Sequence, residues 1–363
     1  MPKTLSAGEL DRFLLRAVAQ GESDIAGTTA RSFGLSRQAV NKRLRDLTAG
    51  GAIKATGSTR ARRYTLSVIE RESTYPISPE LKEDQVWREF VRPLLEGVSP
   101  NVLSICQYGF TEMVNNAIDH SEGAHVRCSV SRSAVRIQLR VLDNGVGILR
   151  KIKENLDLED EQHAMLELSK GKLTTDPARH TGEGIFFSSR VFDSFSILSG
   201  HLFFTHSPDD RDWLLEDKDW VAGTGIWMEI DPGSSRSTKE VTARYSSLGD
   251  DYLFTITHVP VGLARYGDEN LVSRSQAKRL MARVEKFKEV VLDFSGVNTI
   301  GQAFADEIFR VFQQMHPEVK LRWFNVNEEV EGMIKRAIAQ QNLDQMPLFD
   351  QQEKGSAGSG STE

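Results

Sequence analysis

One stretch, Phe110 to Ile148, limits what this chain can fold into more than any other. It opens with Glu112-Met113-Val114-Asn115-Asn116-Ala117-Ile118-Asp119-His120 and closes with Asp143-Asn144-Gly145-Val146-Gly147-Ile148. Phe110, Val114, Ala117, Ile118 and Ser121 share one face at helical spacing, which predicts an amphipathic helix. Glu112, Asn116 and Asp119 recur at four and then three residues, so their side chains stack along a second face. A carboxylate and a carboxamide one turn apart suit a hydrated hard cation: the amide oxygen can ligate it, and the carboxylate can orient a water. Val135, Ile137, Leu139 and Val141 then alternate as a strand. That strand ends in an acceptor carboxylate, Asp143, and two glycines that let backbone approach a ligand closely.

Two glycine turns follow: His180-Thr181-Gly182-Glu183-Gly184-Ile185, feeding an amphipathic run, and Gly223-Thr224-Gly225-Ile226, feeding a strand. Phosphates placed before a helix that opens on glycines meet free N–H groups and a favourable dipole. In this order the four pieces resemble the ATP-binding domain shared by gyrase, heat-shock chaperone ATPases, sensor histidine kinases and mismatch-repair ATPases (the GHKL family), over about residues 80 to 231. The third motif is shorter than the family's fuller glycine pattern. The resemblance implies ATP and Mg2+ as ligands. Asn116 would ligate the metal, Glu112 would act as catalytic base, and Asp143 would accept from the adenine amino group. Gly145 and Gly147 would lie on the adenine side, Gly182 and Gly184 in the lid, and Thr224 beside Asp143. Lys172, in the polar segment 149–181 that would form the lid, is a candidate phosphate contact, as are Lys170 and Arg179. Glu183 has no assignable role. No Walker-type Gly-Lys-Ser/Thr is present.

Charge is distributed unevenly. The chain has 363 residues and a net charge of −6, yet residues 1–70 hold twelve Lys/Arg against six Asp/Glu. A basic end on an acidic body points to nucleic acid. Leu10, Phe13, Leu14 and Val18 predict a first helix, Ser23 and Asp24 cap a second, and Ser36 caps a third that runs to Leu47. A basic hairpin follows, with Arg60, Arg62 and Arg63. The set resembles a winged helix-turn-helix, in which Gln38, Asn41, Lys42 and Arg45 of the third helix would face the major groove and the wing arginines phosphate. A protein-binding winged helix is the alternative.

The C-terminal third alternates strands and helices, which predicts a small α/β layer domain. Asp293-Phe294-Ser295-Gly296-Val297-Asn298-Thr299-Ile300 before a helix is similar to the STAS domain of anti-sigma-factor antagonists. Their phosphorylatable serine is missing, since Gly301, Gln302, Ala303 and Phe304 occupy that place. A protein-binding role for this domain is therefore expected rather than a copied phospho-switch.

The expected architecture is a multidomain α+β chain. It has a winged helix at 1–70, a linker at 71–80 and a two-layer GHKL sandwich at 81–231. A linker at 232–250, a STAS-like domain at 251–342 and a flexible tail at 343–363 complete it. Pro93 should interrupt a helix at 81–97. No apolar run reaches the ~18 residues of a membrane span. Two cysteines, Cys106 and Cys128, are too few for a disulfide framework, and a reducing cytoplasm is the simplest setting. A homodimer remains open. Three functions follow: an ATP-binding regulator whose nucleotide state controls DNA or partner binding, an anti-sigma-type serine/threonine kinase, and a DNA-binding protein with a vestigial nucleotide domain.

Overall fold

The computed structural model describes residues 7–58, 62–173, 182–207, 212–246, 253–267 and 269–344. Arg60, Arg179 and residues 345–363 of the expected tail lie outside them. The chain is a mixed α/β, multidomain protein that divides into two compact units. Unit 1 comprises 1–148 and 187–238; unit 2 comprises 149–186 and 239–363.

Unit 1 begins with three helices, Ala7–Ala19, Ile25–Phe33 and Arg37–Ala49. Asp24 caps the second by accepting from Gly27 N at 3.0 Å, and Ser36 caps the third by accepting from Ala39 N at 3.1 Å. Leu14, Val18, Ile25, Val40 and Leu44 meet in one core with Ile53 of strand β1 (Ile53–Thr56). Strand β2 (Arg63–Leu66) pairs antiparallel with β1 and closes a hairpin.

The rest of unit 1 is a five-stranded antiparallel sheet. Its strands are β3 (Ile69–Pro76), β4 (His125–Arg132), β5 (Ile137–Asp143), β6 (Ser194–His206) and β7 (Trp213–Ile230), in the order β3-β4-β5-β7-β6. β3 corrects the linker expected at 71–80. Its side chains are mostly exposed, so no apolar alternation marks it; eight backbone partners on β4 hold it as an edge strand. The helical run from Glu83 changes character as expected near Pro93, passing from α through π geometry at Trp87–Val91 to a 3-10 turn at Arg92–Leu95.

The 21-residue helix Pro100–His120 buries Val102, Ile105, Phe110, Met113, Val114 and Ala117 against the sheet. Gly109 sits inside that face because a Cβ there would lie 2.4 Å from the Phe192 ring and 3.1 Å from Met228 Sδ. Burial pushes both thiols, Cys106 and Cys128, up to about 12.

Unit 2 is built on three parallel strands, β8 (Ile256–Pro260), β9 (Glu289–Asp293) and β10 (Lys320–Phe324), in the order β10-β9-β8. The helix Arg274–Met281 starts with a capping box between Ser273 and Gln276, and two residues after its end Arg283 adopts φ +59°. Two polar stretches carry more regular structure than their composition suggests. The linker at 232–250 contains the helix Thr238–Arg244. The polar segment 149–181 contains most of the helix Ile148–Leu156 and all of the helix Glu161–Lys170, and in the latter every residue from Ala164 to Lys170 is buried. Charged neighbours mask its apolar Met165, Leu166 and Leu168, and two of its buried residues are themselves charged.

Replacing Gly with Ala inside a helix ordinarily adds up to ~1 kcal/mol. Gly109→Ala should instead lower unfolding free energy by about 1 kcal/mol or more, because overpacking costs ~1–3 kcal/mol. Denaturant titration reads the difference, and a stabilised variant would contradict this close contact.

Candidate functional site

Asp143 ends β5 beside Thr224 on β7, where the neighbouring pair Leu142 and Gly225 sets the register. Its Oδ1 accepts from Gly145 N at 2.9 Å and from Thr224 N at 3.2 Å. Thr224 Oγ1 in turn accepts from Ile148 N at 2.9 Å, so one threonine links the carboxylate to the far end of the glycine loop. Desolvation raises the Asp143 carboxyl above the ordinary aspartate range, and the two N–H donors only partly offset it.

The loop itself is held from several sides. Val146 N donates to Ser121 O at 2.8 Å, at the end of the helix Pro100–His120. Asn144 Oδ1 accepts from Ala124 N and His125 N, each at 2.9 Å. A Cβ on Gly145 would lie 1.9 Å from Ser121 O, and one on Gly223 would lie 2.1 Å from Asp143 O. Gly147 and Gly223 also require positive φ, +87° and +80°. The glycines at 145 and 223 are therefore needed for the loop to close around Asp143, whatever it binds.

Glu112 and Asn116 lie one turn apart on the partly exposed face of the helix that ends at this loop, and both are half-buried. Thus Glu112, Asn116, Asp143, Gly145, Gly147 and Thr224 all belong to unit 1. A carboxylate with an oxygen beyond its two backbone bonds can accept a donor from a ligand. The amide of Asn116 offers an oxygen of the kind a hard cation takes.

Gly182, Gly184 and Lys172 belong to unit 2. Gly182 O accepts from Leu173 N at 3.3 Å. Gly184 opens the helix Gly184–Val191. The Lys172 ammonium lies 4.9 Å from the Phe287 ring centroid and donates to Lys286 O at 3.4 Å. Lys170 is wholly buried and burial pushes its ammonium down to about 8, against the opposing pull of Glu167. Its donors are spent within the protein, which corrects the expectation that it contacts phosphate.

On the third helix, Gln38, Asn41, Lys42 and Arg45 are all exposed, while Val40 and Leu44 face the core. Arg62 and Arg63 are exposed on the hairpin. Arg43 on the same helix is used otherwise, in a bidentate pair with Asp11. A cavity of about 520 Å³ lies at the opposite ends of β5 and β7, lined by residues including Val135, Arg136, Glu229 and Asp231; it contains none of the predicted site residues.

Sequence reasoning missed Ser121 and Asn144 as the groups that hold the glycine loop. Asn directly after the acceptor Asp was the available signal, since Asn caps local backbone turns. It also missed the buried pairing of Lys170 with Glu167, for which their spacing on a helix with Met165, Leu166 and Leu168 was the available cue.

Residues 276–331 match the family model described as a STAS-like domain of unknown function (DUF4325), so this part of unit 2 is STAS-like. No match was found among curated proteins. Among the described residues, no helix is long and apolar enough to cross a membrane.

The raised Asp143 carboxyl fixes a sign. A group whose folded pKa exceeds its unfolded value favours folding while protonated, and that contribution is lost as pH rises through the folded pKa. Asn keeps the acceptor oxygen without the charge. Asp143→Asn should therefore melt at or above the wild-type temperature, and its advantage should grow from the ordinary aspartate range up through the raised value and then level off. Melting curves across that window test it. An advantage that shrinks with rising pH would contradict the burial of this carboxylate.

Proposed function

We propose that this protein is an ATP-binding, ATP-hydrolysing regulator whose nucleotide state controls its affinity for DNA or a partner. The observation that carries the reading is Asp143. A half-buried carboxylate, kept in place by Gly145 and Thr224 and surrounded by glycines, is costly to the fold and is suited to accept from an adenine amino group. The order of the motifs supports the same reading, since it resembles the GHKL nucleotide domain, and the helix Pro100–His120 packs on the antiparallel sheet of unit 1.

The donor set suits Mg-ATP. Asn116 would hold the metal through its amide oxygen, and Glu112, one turn earlier on the same face, would take a proton from the attacking water. Bound Mg2+ would neutralise charge on the phosphates. By the family resemblance, Gly182 and Gly184 serve the phosphates. The N-terminal helices and hairpin act as a winged helix that meets duplex DNA. The exposed row Gln38, Asn41, Lys42 and Arg45 would face the groove and Arg62 and Arg63 the phosphates. The STAS-like unit would receive a protein partner.

Two substitutions should fail differently. Glu112→Gln should bind Mg-ATP with near-normal affinity but release phosphate ~10²–10⁴-fold more slowly. It should also hold DNA affinity at the value of the ATP-bound state. Asn116→Ala should weaken nucleotide binding itself. Calorimetry and released phosphate read the pair. Wild-type turnover by Glu112→Gln would reduce Glu112 to a helix-surface carboxylate and remove the hydrolytic part of the proposal.

A further inference from the structure

The chain leaves unit 1 after Ile148 and re-enters it at Phe187, and the segment between belongs to unit 2. Within that segment Lys170 is wholly buried. Its ammonium donates to Glu167 Oε1 at 2.6 Å, to Ala282 O at 2.8 Å and to Arg279 O at 3.3 Å. Arg279 O lies in the last turn of the helix Arg274–Met281, where it also accepts from Ala282 N at 3.4 Å, and Ala282 follows that turn. A cation there also meets the negative end of the helix dipole. Glu167 balances the charge and is itself faced by Arg283 and His163, each at 3.7 Å. Breaking such a pair by removing one partner strands the other charge without a counter-ion.

The attachment continues along the backbone. Lys170 O accepts from Thr257 Oγ1 of β8 at 2.7 Å. A Cβ on Gly171 would lie 2.6 Å from the Phe254 ring. Lys172 O accepts from Lys286 Nζ at 2.9 Å. One residue on, Leu173 N donates to Gly182 O, and a Cβ on Gly182 would lie 2.4 Å from the Leu173 carbonyl. Gly182 is therefore fastened to a stem whose root is the buried pair Glu167–Lys170. Arg279, Ala282, Arg283 and Lys286, which grip that root and stem, all lie within the STAS-like segment 276–331.

We infer that the STAS-like unit controls the nucleotide lid, with Lys170 as the positioning residue that ties Gly182 to the helix Arg274–Met281. This rests on the reading of Gly182 and Gly184 as the phosphate-side motif. A change of state at the lid is then felt at 279–286, and a partner that docks on the STAS-like unit alters nucleotide affinity by the same factor that nucleotide alters partner affinity. The buried ion pair gives the stem rigidity that a solvated loop lacks.

Hydrogen exchange on the full chain tests the coupling, with and without Mg-ATP, in peptides covering 160–173 and 276–290. Calorimetry on the same samples measures binding. Mg-ATP should slow exchange in both peptides of the wild type. In Lys170→Met the peptide 276–290 should no longer respond to a nucleotide that still binds. If Lys170→Met does not fold, Thr257→Val removes one bond of the stem and should reduce the response. Binding of Mg-ATP with exchange at 276–290 unchanged in the wild type would overturn the inference and leave the nucleotide reading standing. Absence of Mg-ATP binding would overturn that reading, and the inference with it. A Lys170→Met response equal to wild type would remove Lys170 from the coupling.

Discussion

One partly desolvated carboxylate organises the end of β5, and the rest of the site is arranged around it. Asp143 is half-buried, its pKa is raised by desolvation, and two backbone N–H groups hold one of its oxygens. Around it, Ser121 O, Gly145, Gly147, Gly223 and Thr224 leave no room for additional side-chain atoms at the glycines. Burial disfavours its charged form, while the N–H groups of Gly145 and Thr224 hold the oxygen in place. A fixed acceptor in a place that costs stability is the usual physical signature of recognition. Glu112 and Asn116 gain their meaning from it, because they lie on the helix whose end holds the same loop.

The second constraint lies in unit 2 and has opposite logic. Lys170 and Glu167 are charges taken out of water, yet every contact they make is internal: to each other, to the end of the helix Arg274–Met281, and to Arg283 and His163. Such a group fixes position more than it adds stability. Here it fixes the stem beneath Gly182.

Much of unit 1 was legible in the sequence because its signals are local. The apolar face of Phe110 to Ala117, the alternation of Val135 to Val141 and the caps at Asp24 and Ser36 each predict an element that the structure contains. Thr224 N donates to Asp143 Oδ1, a contact set by the pairing of β5 with β7. What escaped were features decided by non-local contacts. β3 has no apolar pattern because the backbone of β4 holds it. The helix Glu161–Lys170 reads as polar because its buried Glu and Lys neutralise each other, a partnership that composition cannot reveal. The STAS-like alternation was visible, whereas the break at Arg283 was not, since no Gly or Pro marks it.

The central claim is that Asp143 selects adenine. Adenine offers an amino group at the position where guanine offers a carbonyl, and a carboxylate accepts from the first and repels the second. Titration of Mg-ATP and Mg-GTP into the full chain by calorimetry decides it most directly. The account predicts that Mg-ATP binds and that Mg-GTP binds at least about 100-fold more weakly. Equal affinities, or no affinity for Mg-ATP, would contradict it.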